Sequence, residues 1–203
     1  MELYVRKITP LEKGRARILF DNGVEAVLYK SEMRKLSLRE ESTVTEETYR
    51  IIMSDILGKR AKKCAMYLLE RQDRTEKQLY DKLCQNGYPK ECVTEAVEYV
   101  KSYHYIDDLR YARTYIRFHQ EKKSRQKLKL DLLTKGVNRN TIEQALEEEF
   151  ESDESEKITE LLRKRRYQGE MADENEKRRI YQFLMRRGFK SSDILRAMNE
   201  YKG

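Results

Sequence analysis

The side chains with the clearest chemistry in this sequence are cations, which bind anions rather than break bonds. From Arg110 to Arg139 the chain carries ten basic residues and two acidic ones. Arginine and lysine donate charge-assisted hydrogen bonds to phosphates and carboxylates. The candidate binding residues in this stretch are Arg110, Arg113, Arg117, Lys122, Lys123, Arg125, Lys127 and Lys129. Together with a formal net charge of +7 they predict a polyanionic partner, and the open alternative is a merely soluble basic protein.

The spacing of these cations places several of them on common helix faces. Residues related by spacings of three and four are Arg110, Arg113 and Arg117 in one predicted helix and Lys122, Arg125 and Lys129 in the next. Two neighbouring helices would then present one basic ridge. The alternative is that these long side chains lie along the edge of the core.

A second group of cations lies closer to the C-terminal end. It comprises Arg163, Lys164, Arg165, Arg166, Arg178 and Arg179. An acidic run from Glu147 to Glu156 separates the two groups. We predict that this run is a solvated helix end and linker, and the alternative is an intramolecular cover over the basic surface.

Groups that could perform catalysis or hold a cofactor are not arranged to do so. The sequence contains neither of the glycine-rich loops that cradle nucleotide phosphates. Its two histidines, His104 and His119, do not pair with a cysteine or with each other at a metal-binding interval. Asp107 and Asp108 directly precede a predicted helix, where carboxylates cap free N–H groups. We therefore expect no catalytic residue, no metal and no cofactor.

The elements that must position the cations form a repeat. Aligned on Gly87, Gly136 and Gly188, three stretches match at five offsets. A leucine or isoleucine stands eight residues before each glycine, a leucine four before, and an alanine nine after. Glycine at a helix end adopts the left-handed conformation without a Cβ clash. The pattern predicts repeated three-helix units in which this glycine ends the second helix.

We predict a mainly α-helical, elongated array of three such repeats behind a small N-terminal cap. The predicted limits are 1–58 for the cap and 59–105, 106–152 and 153–203 for the repeats. In the cap, Asn22-Gly23 between β-rich stretches predicts a hairpin of two or three strands, with positive φ values in its turn. A helix that starts at Thr45 is predicted to run towards Glu70, interrupted at Gly58.

Local signals define the first repeat in more detail. Thr75 and Gln78 form a capping-box signal at the start of its second helix. Its third helix is predicted from Lys90 to Tyr99. In the second repeat, Ala145 is predicted to mark a close crossing of two helices.

Three-helix units on a basic chain raise the alternative of a helix-turn-helix protein that reads duplex DNA. The third helices of the first two repeats argue against it, because they are acidic. Their carboxylates are Glu91, Glu95 and Glu98 in the first repeat and Glu143, Glu147, Glu148 and Glu149 in the second. Carboxylates would face the negatively charged groove and repel it. Only the third helix of the third repeat, with Arg196 and Asn199, stays compatible. We therefore predict nucleic-acid contacts through the first and second helices, and to phosphates.

Particular motifs link the sequence to a known family. The first motif extends from Leu68-Leu69 to Tyr88 and contains Arg74-Thr75-Glu76. The second is Tyr105-Ile106-Asp107-Asp108, and the third extends from Leu132 to Val137 and contains Lys135-Gly136. From about residue 60 to its end the chain resembles the RecX family, the regulatory proteins of the RecA recombinase. It departs from the family pattern at Lys123-Ser124, where members often carry Gly-Pro. It departs again at His104-Tyr105, where a glycine is common.

The resemblance implies a protein that lies in the groove of RecA filaments and suppresses ATP hydrolysis, strand exchange and filament growth. It implies as partners the RecA filament and single-stranded DNA, with double-stranded DNA as an open alternative. A nucleic-acid-binding protein without a recombinase partner and a specific transcription regulator are the competing functions. We also expect a monomer. The expected location is the cytoplasm, since no segment resembles a signal peptide or a membrane span.

Overall fold

The computed structural model describes residues 3–151 and 153–202. Four residues lie outside the described ranges: Met1, Glu2, Ser152 and Gly203. The predicted domain limits at 1, 152 and 203 therefore fall on residues that are not described, and so does one position of the acidic run, Ser152. The chain divides between Asp107 and Asp108 into two compact units, which we call the first and the second unit.

The first unit begins with an antiparallel sheet. Its strands are β1 (Leu3–Pro10), β2 (Arg15–Phe20), β3 (Glu25–Tyr29) and β4 (Thr43–Val44), in the order β3-β2-β1-β4. Alternate residues of β2, namely Ala16, Ile18 and Phe20, are buried. This is the period-two pattern of a sheet with one face on a core. The sheet has four strands where the sequence predicted two or three, because β4 is too short to carry a pattern.

The turn between β2 and β3 differs from the predicted one. Gly23 has a φ of +80°, but Asn22 is not among the described residues with positive φ. The N–H of Gly23 donates to the carbonyl oxygen of Phe20 at 3.0 Å, and Oδ1 of Asn22 accepts from the N–H of Val24 at 3.0 Å. These bonds define a three-residue loop with a single left-handed glycine. The predicted positive φ at Asn22 is wrong, because its side chain satisfies the turn from an ordinary conformation.

A continuous helical segment follows the short helix α1 (Lys30–Lys35). It consists of α2 (Glu46–Arg50), a π-helix (Ile51–Gly58) and α3 (Lys59–Arg71). The hydroxyl of Thr45 accepts the N–H of Thr48 at 3.2 Å, which confirms the predicted start. Gly58 has a helical φ of −62°. The predicted interruption is therefore a stretch of wider helical turns, after which α-helical hydrogen bonding resumes.

The first repeat consists of α3, α4 (Glu76–Gln85) and α5 (Lys90–Ser102). The hydroxyl of Thr75 accepts the N–H of Gln78, and the side chain of Gln78 accepts the N–H of Thr75, both at 3.2 Å. These reciprocal bonds confirm the capping box. The buried residues of this repeat and those of the sheet form one core, which includes Phe20 and Leu83.

The second unit contains two further three-helix repeats. Its helices are α6 (Asp108–His119), α7 (Arg125–Thr134), α8 (Arg139–Glu149), α9 (Glu154–Lys164), α10 (Glu174–Met185) and α11 (Ser191–Glu200), with a 3-10 turn at Gly169–Met171. The second repeat, α6 to α8, and the third, α9 to α11, each have their own buried core. Among the described residues, no helix is long and apolar enough to cross a membrane.

The glycines that define the repeat have the predicted conformation. Their φ values are +88° at Gly87, +88° at Gly136 and +83° at Gly188. The aligned apolar residues, among them Leu83 and Leu132, are buried. The mainly helical fold with three three-helix repeats is therefore confirmed, whereas the four predicted domain limits remain predictions.

Ala145 offers a direct test of how tightly the second repeat is packed. It is fully buried on α8, which packs against α6. We expect Ala145→Leu to destabilise the protein by about 1–3 kcal/mol, because added methylenes overpack a filled core. Thermal unfolding followed by circular dichroism measures this change. Asn140→Leu, at an exposed position of the same helix, is the control, and equal melting temperatures for the two variants would contradict the assigned packing.

Candidate functional site

Four of the six residues of the predicted basic ridge form ion pairs with the acidic helix of their own repeat. Because α6 packs against α8, Arg113 forms an ion pair with Glu148, and Nη2 of Arg117 lies 2.6 Å from Oε1 of Glu149. The hydrogen bond from Arg117 lowers the pKa of Glu149. Both carboxylates stay ionised at neutral pH and satisfy the two arginines. Arg110, on the same helix, is exposed.

The second half of the ridge is paired in the same way. Glu143 on α8 accepts from Lys129, and one of its oxygens lies 3.5 Å from Nη2 of Arg125. The hydrogen bond from Lys129 lowers the pKa of Glu143. Residues 106–152 contain ten basic and nine acidic residues, so the repeat with the most basic segment is almost neutral as a whole. The acidic face and the basic ridge, separate in the sequence prediction, contact each other.

Lysines at the junction of α6 and α7 keep an excess of positive charge. We define the lysine cluster as Lys123, Lys127 and Lys135 around Tyr115 and Asp131. Nζ of Lys123 lies 2.8 Å from Oδ2 of Asp131, and Nζ of Lys127 lies 2.9 Å from its Oδ1. Nζ of Lys123 and Nζ of Lys135 lie 5.2 and 5.3 Å from the centroid of the Tyr115 ring. Two ammonium groups thus share one carboxylate, and a third lies over the Tyr115 ring.

Hydrogen bonding fixes the protonation states of this cluster. Burial alone would raise the pKa of Asp131, but hydrogen bonds from Lys123 and Lys127 outweigh it and lower that pKa. Burial would likewise lower the pKa of Lys123, and its hydrogen bonds to Asp131 and Tyr115 raise it. His119, whose ring lies 4.3 Å from that of Tyr115, has its pKa lowered by burial and by Lys123. At neutral pH a charged Lys123 and an ionised Asp131 therefore lie beside a neutral His119.

The lowered pKa of Asp131 predicts how stability depends on pH. A carboxyl group with a depressed pKa in the folded state stabilises it above the unfolded pKa of about 3.9, and this contribution is lost as pH falls through the folded value. We expect Asp131→Asn to lower the melting temperature at neutral pH. The difference from the unaltered protein should shrink below about pH 4. A difference that is the same at neutral and acid pH, measured by thermal unfolding, would contradict this role.

Ser124, next to the lysine cluster, joins the second repeat to the third. It is fully buried and caps α7, since its Oγ accepts the N–H of Lys127 at 3.1 Å. The same Oγ donates to the carbonyl oxygen of Gly188 at 2.7 Å, and the Ser124 N–H donates to the carbonyl oxygen of Arg187 at 3.0 Å. The Lys123-Ser124 departure from the family pattern therefore supplies both a cluster lysine and a link between repeats.

The third repeat uses only some of its predicted binding cations internally. Arg163 and Lys164 lie 2.8 and 3.1 Å from the carboxylate of Glu160. The hydrogen bond from Arg163 is the main cause that lowers the pKa of Glu160 to about 2. Arg165 lies over the ring of Phe183, 4.1 Å from its centroid. The predicted cations that are exposed and form neither an ion pair nor a ring contact within the described residues are Arg166, Arg178 and Arg179 in this repeat and Lys122 in the second.

Several positions in this region had no functional signal in the sequence. Tyr115 reads as one of the apolar residues of α6, and Asp131 as an isolated acid in a basic segment. Their joint role depends on the packing of α6 against α7, which brings residues 16 positions apart to within 3.1 Å. Asp107 and Asp108 lie at the start of α6, which begins at Asp108. This is the placement that the predicted capping by these two carboxylates requires. Among the described residues, no group of three side chains could hold a metal ion.

Fold and charge together define a helical-repeat protein with an uneven distribution of charge. Models of three RecX domains match in chain order: the first three-helix domain at residues 61–99, the second at 107–146 and the third at 152–198. "Regulatory protein RecX" of Caldanaerobacter subterraneus is 30% identical over 200 residues, covering 97% of this chain and 99% of that protein. "Regulatory protein RecX" of Clostridium tetani is 27% identical and covers 97% and 94%. The chain belongs to the RecX family.

Solved structures show the same fold. A crystal structure of regulatory protein RecX covers 98% of this chain and 100% of its own, with a TM-score of 0.60 at 24% identity. The crystal structure of RecX from Lactobacillus salivarius covers 71% of this chain and 96% of its own, with a TM-score of 0.56 at 26% identity. The family resemblance drawn from the sequence is thereby confirmed.

Proposed function

We propose that this protein is a non-enzymatic modulator of the RecA recombinase. In this proposal it binds as a monomer in the groove of RecA filaments on single-stranded DNA and inhibits ATP hydrolysis, strand exchange and filament growth. Membership of the RecX family supports the choice of partner. On the chain's own surface, the observation that carries the proposal is the lysine cluster, in which the ammonium groups of Lys123 and Lys127 share the carboxylate of Asp131.

The pairing of the ridge determines where a polyanion would bind first. A phosphate that approaches Arg113 or Arg117 meets a charge that Glu148 or Glu149 already neutralises and donors that are partly occupied. Lys123 and Lys127 together face the single carboxylate of Asp131, so two positive charges meet one negative charge and an added anion can bind them without displacing Asp131. Lysine is also suited to this task because its ammonium group binds phosphate as a compact point charge.

The unpaired arginines of the third repeat supply a second region of contact. Arg178 and Arg179 lie exposed on α10, the second helix of that repeat. This position agrees with the proposal that contacts run through first and second helices and reach phosphates. Arg196 on the third helix, α11, donates instead to Asp193 at 3.1 Å. Because Arg196 is the main cation of α11, this hydrogen bond disfavours the insertion of α11 into a DNA groove, which a transcription regulator would need.

The second candidate function is nucleic-acid binding without a recombinase. The lysine cluster supports it equally, because phosphates are natural ligands of ammonium groups. The two functions differ in the preferred partner. At physiological salt a filament modulator binds RecA filaments far more tightly than naked single or double strands, whereas a nucleic-acid-binding protein shows no such preference.

A RecA ATPase assay on single-stranded DNA tests the proposal directly. We expect strong inhibition when this protein is substoichiometric to RecA, because a bound modulator acts on many protomers of one filament. Inhibition that appears only when the protein saturates the DNA would indicate competition for strands. That result would overturn the modulator function in favour of the second candidate.

A further inference from the structure

An apolar cavity with a basic rim lies in the first unit, far along the sequence from the lysine cluster. Its volume is about 390 Å³, and β1, β2, α1 and the segment after α1 line it. The apolar lining consists of Ile8, Pro10, Ala16, Met33 and Leu38. The cavity size is at the lower end of the range of about 300–1,000 Å³ for ligand sites, which suits one large side chain rather than an extended ligand.

The end of α1 shapes this cavity. The N–H of Ser37 donates to the carbonyl oxygen of Arg34 at 3.2 Å, and the N–H of Leu38 donates to that of Met33 at 3.0 Å. Ser37 has a φ of +53°, the left-handed conformation that ends a helix and reverses the chain. The reversal buries Leu38 and brings Arg39 to the same cavity as Arg34.

The rim carries positive charge that the chain does not neutralise. Lys30, Arg34 and Arg39 all line the cavity and are exposed, and none of them forms an ion pair within the described residues. Glu32, on α1, is engaged with Arg60 and with the N–H of Tyr29. The other nearby carboxylate, Glu40, accepts the N–H of Ile8 at 2.7 Å. Three cations therefore surround an apolar floor without acidic partners of their own.

These features select the chemistry of the occupant. Binding of a strand to the edge of β1 is disfavoured, because the N–H of Ile8 is already bonded to Glu40 and Pro10 has no N–H. Single-stranded nucleic acid is also disfavoured, because its bases stack on aromatic rings and none of the lining residues is aromatic. An apolar side chain flanked by carboxylates would fill the floor and pair with the rim. Met33 adds a flexible thioether that adapts to such a side chain.

We propose that this cavity binds a short acidic peptide segment of a partner protein through one apolar anchor residue. The anchor enters the floor between Ala16 and Leu38, and carboxylates on either side of it pair with Lys30, Arg34 and Arg39. This site does not depend on the lysine cluster or on contact with DNA. It gives the N-terminal sheet and α1 a binding role that the three-helix repeats do not supply.

A labelled peptide tests the proposal with the full-length protein. The probe is a fluorescein-labelled peptide of aspartate and glutamate with a single central phenylalanine, and binding is measured by fluorescence anisotropy. We expect the triple variant Lys30→Glu, Arg34→Glu, Arg39→Glu to bind it at least about tenfold more weakly, because like charges then face each other. Replacing the phenylalanine of the peptide by serine should also weaken binding about tenfold through the loss of apolar burial.

Matched controls separate a specific site from general charge attraction. The triple variant Lys63→Glu, Lys82→Glu, Lys90→Glu makes the same change of net charge in the first unit outside the cavity and should bind normally. Methyl NMR spectra report the site itself, and signals of Ile8, Met33 and Leu38 should shift on addition of the peptide. Each of three results would overturn the proposal. The first is an equal loss of peptide affinity in both triple variants, and the second is the absence of methyl shifts at millimolar peptide. The third is a single-stranded oligonucleotide that shifts these methyl signals at lower concentration than the peptide does.

Discussion

Gly188→Ala is expected to destabilise the second unit by about 3–5 kcal/mol, although it adds a single methyl group. Two costs combine at this position. A left-handed φ of +83° costs a non-glycine residue about 1–2 kcal/mol. A Cβ there would also lie 2.6 Å from Cβ of Lys127 and 2.7 Å from Oγ of Ser124. Relief of this clash would stretch the bond between Ser124 and the Gly188 carbonyl group.

The comparison of Gly188→Ala with Gly23→Ala isolates the close approach from the backbone cost. Gly23 has nearly the same φ, +80°, but nothing lies within 4 Å of the Cβ that alanine would add. Gly23→Ala should therefore cost only about 1–2 kcal/mol. Denaturant unfolding measures both losses, and hydrogen exchange shows whether protection of α7 and α10 falls only in Gly188→Ala. An equal loss of unfolding free energy in the two variants would show that the junction between the second and third repeats relaxes to accommodate the added methyl group.

Removal of charge from the lysine cluster is expected to cause the largest functional loss. The test variant is Lys122→Gln, Lys127→Gln, Lys135→Gln, which replaces two cluster lysines and the neighbouring exposed Lys122 and keeps Lys123 in place to hold Asp131. We expect it to inhibit the RecA ATPase about tenfold less potently, a change equivalent to about 1.4 kcal/mol of binding free energy. Its binding to single-stranded DNA should also depend less steeply on salt, since each lost phosphate contact lowers the slope by about 0.7.

The paired ridge provides the control for that variant. Arg113→Gln, Arg117→Gln, Lys129→Gln removes the same number of charges from residues whose partners are Glu148, Glu149 and Glu143. We expect only a small loss of inhibition, because these cations are already engaged within the repeat. Charge reversal is unsuitable here, since it would place glutamate against glutamate and disturb the packing of α6 on α8. A larger loss in the control than in the cluster variant would move the functional surface to the ridge.

The repeat architecture could be predicted from the sequence because its causes are local. Helix length, the left-handed glycine at the end of the second helix and the buried leucines each depend on residues within a few turns of one another. The capping box of Thr75 and Gln78 is local in the same sense and was predicted correctly. The errors arose where geometry is set by packing. Examples are the fourth strand and the π-helix in place of an interruption at Gly58.

The candidate site was predicted less well than the fold. Composition located the cations and the acidic helices correctly, but it could not show that Arg113 and Arg117 are paired with Glu148 and Glu149. Those pairs join residues 35 and 32 positions apart, and they exist because α6 packs against α8. The cavity beside α1 was likewise invisible, since Ile8, Ala16 and Leu38 come together only through the sheet and the reversal at Ser37.

By itself the sequence determined that this chain forms three helical repeats with strongly uneven charge, and its motifs matched the RecX family. Periodicity and composition suffice for that, because helix formation and amphipathic burial depend on short-range order along the chain. The tertiary structure decided which charges remain for a partner. An ion pair depends on the distance between side chains from different helices. Only the packed repeat shows that four cations of the ridge are paired with the glutamates of α8, whereas Lys123 and Lys127 share the single carboxylate of Asp131.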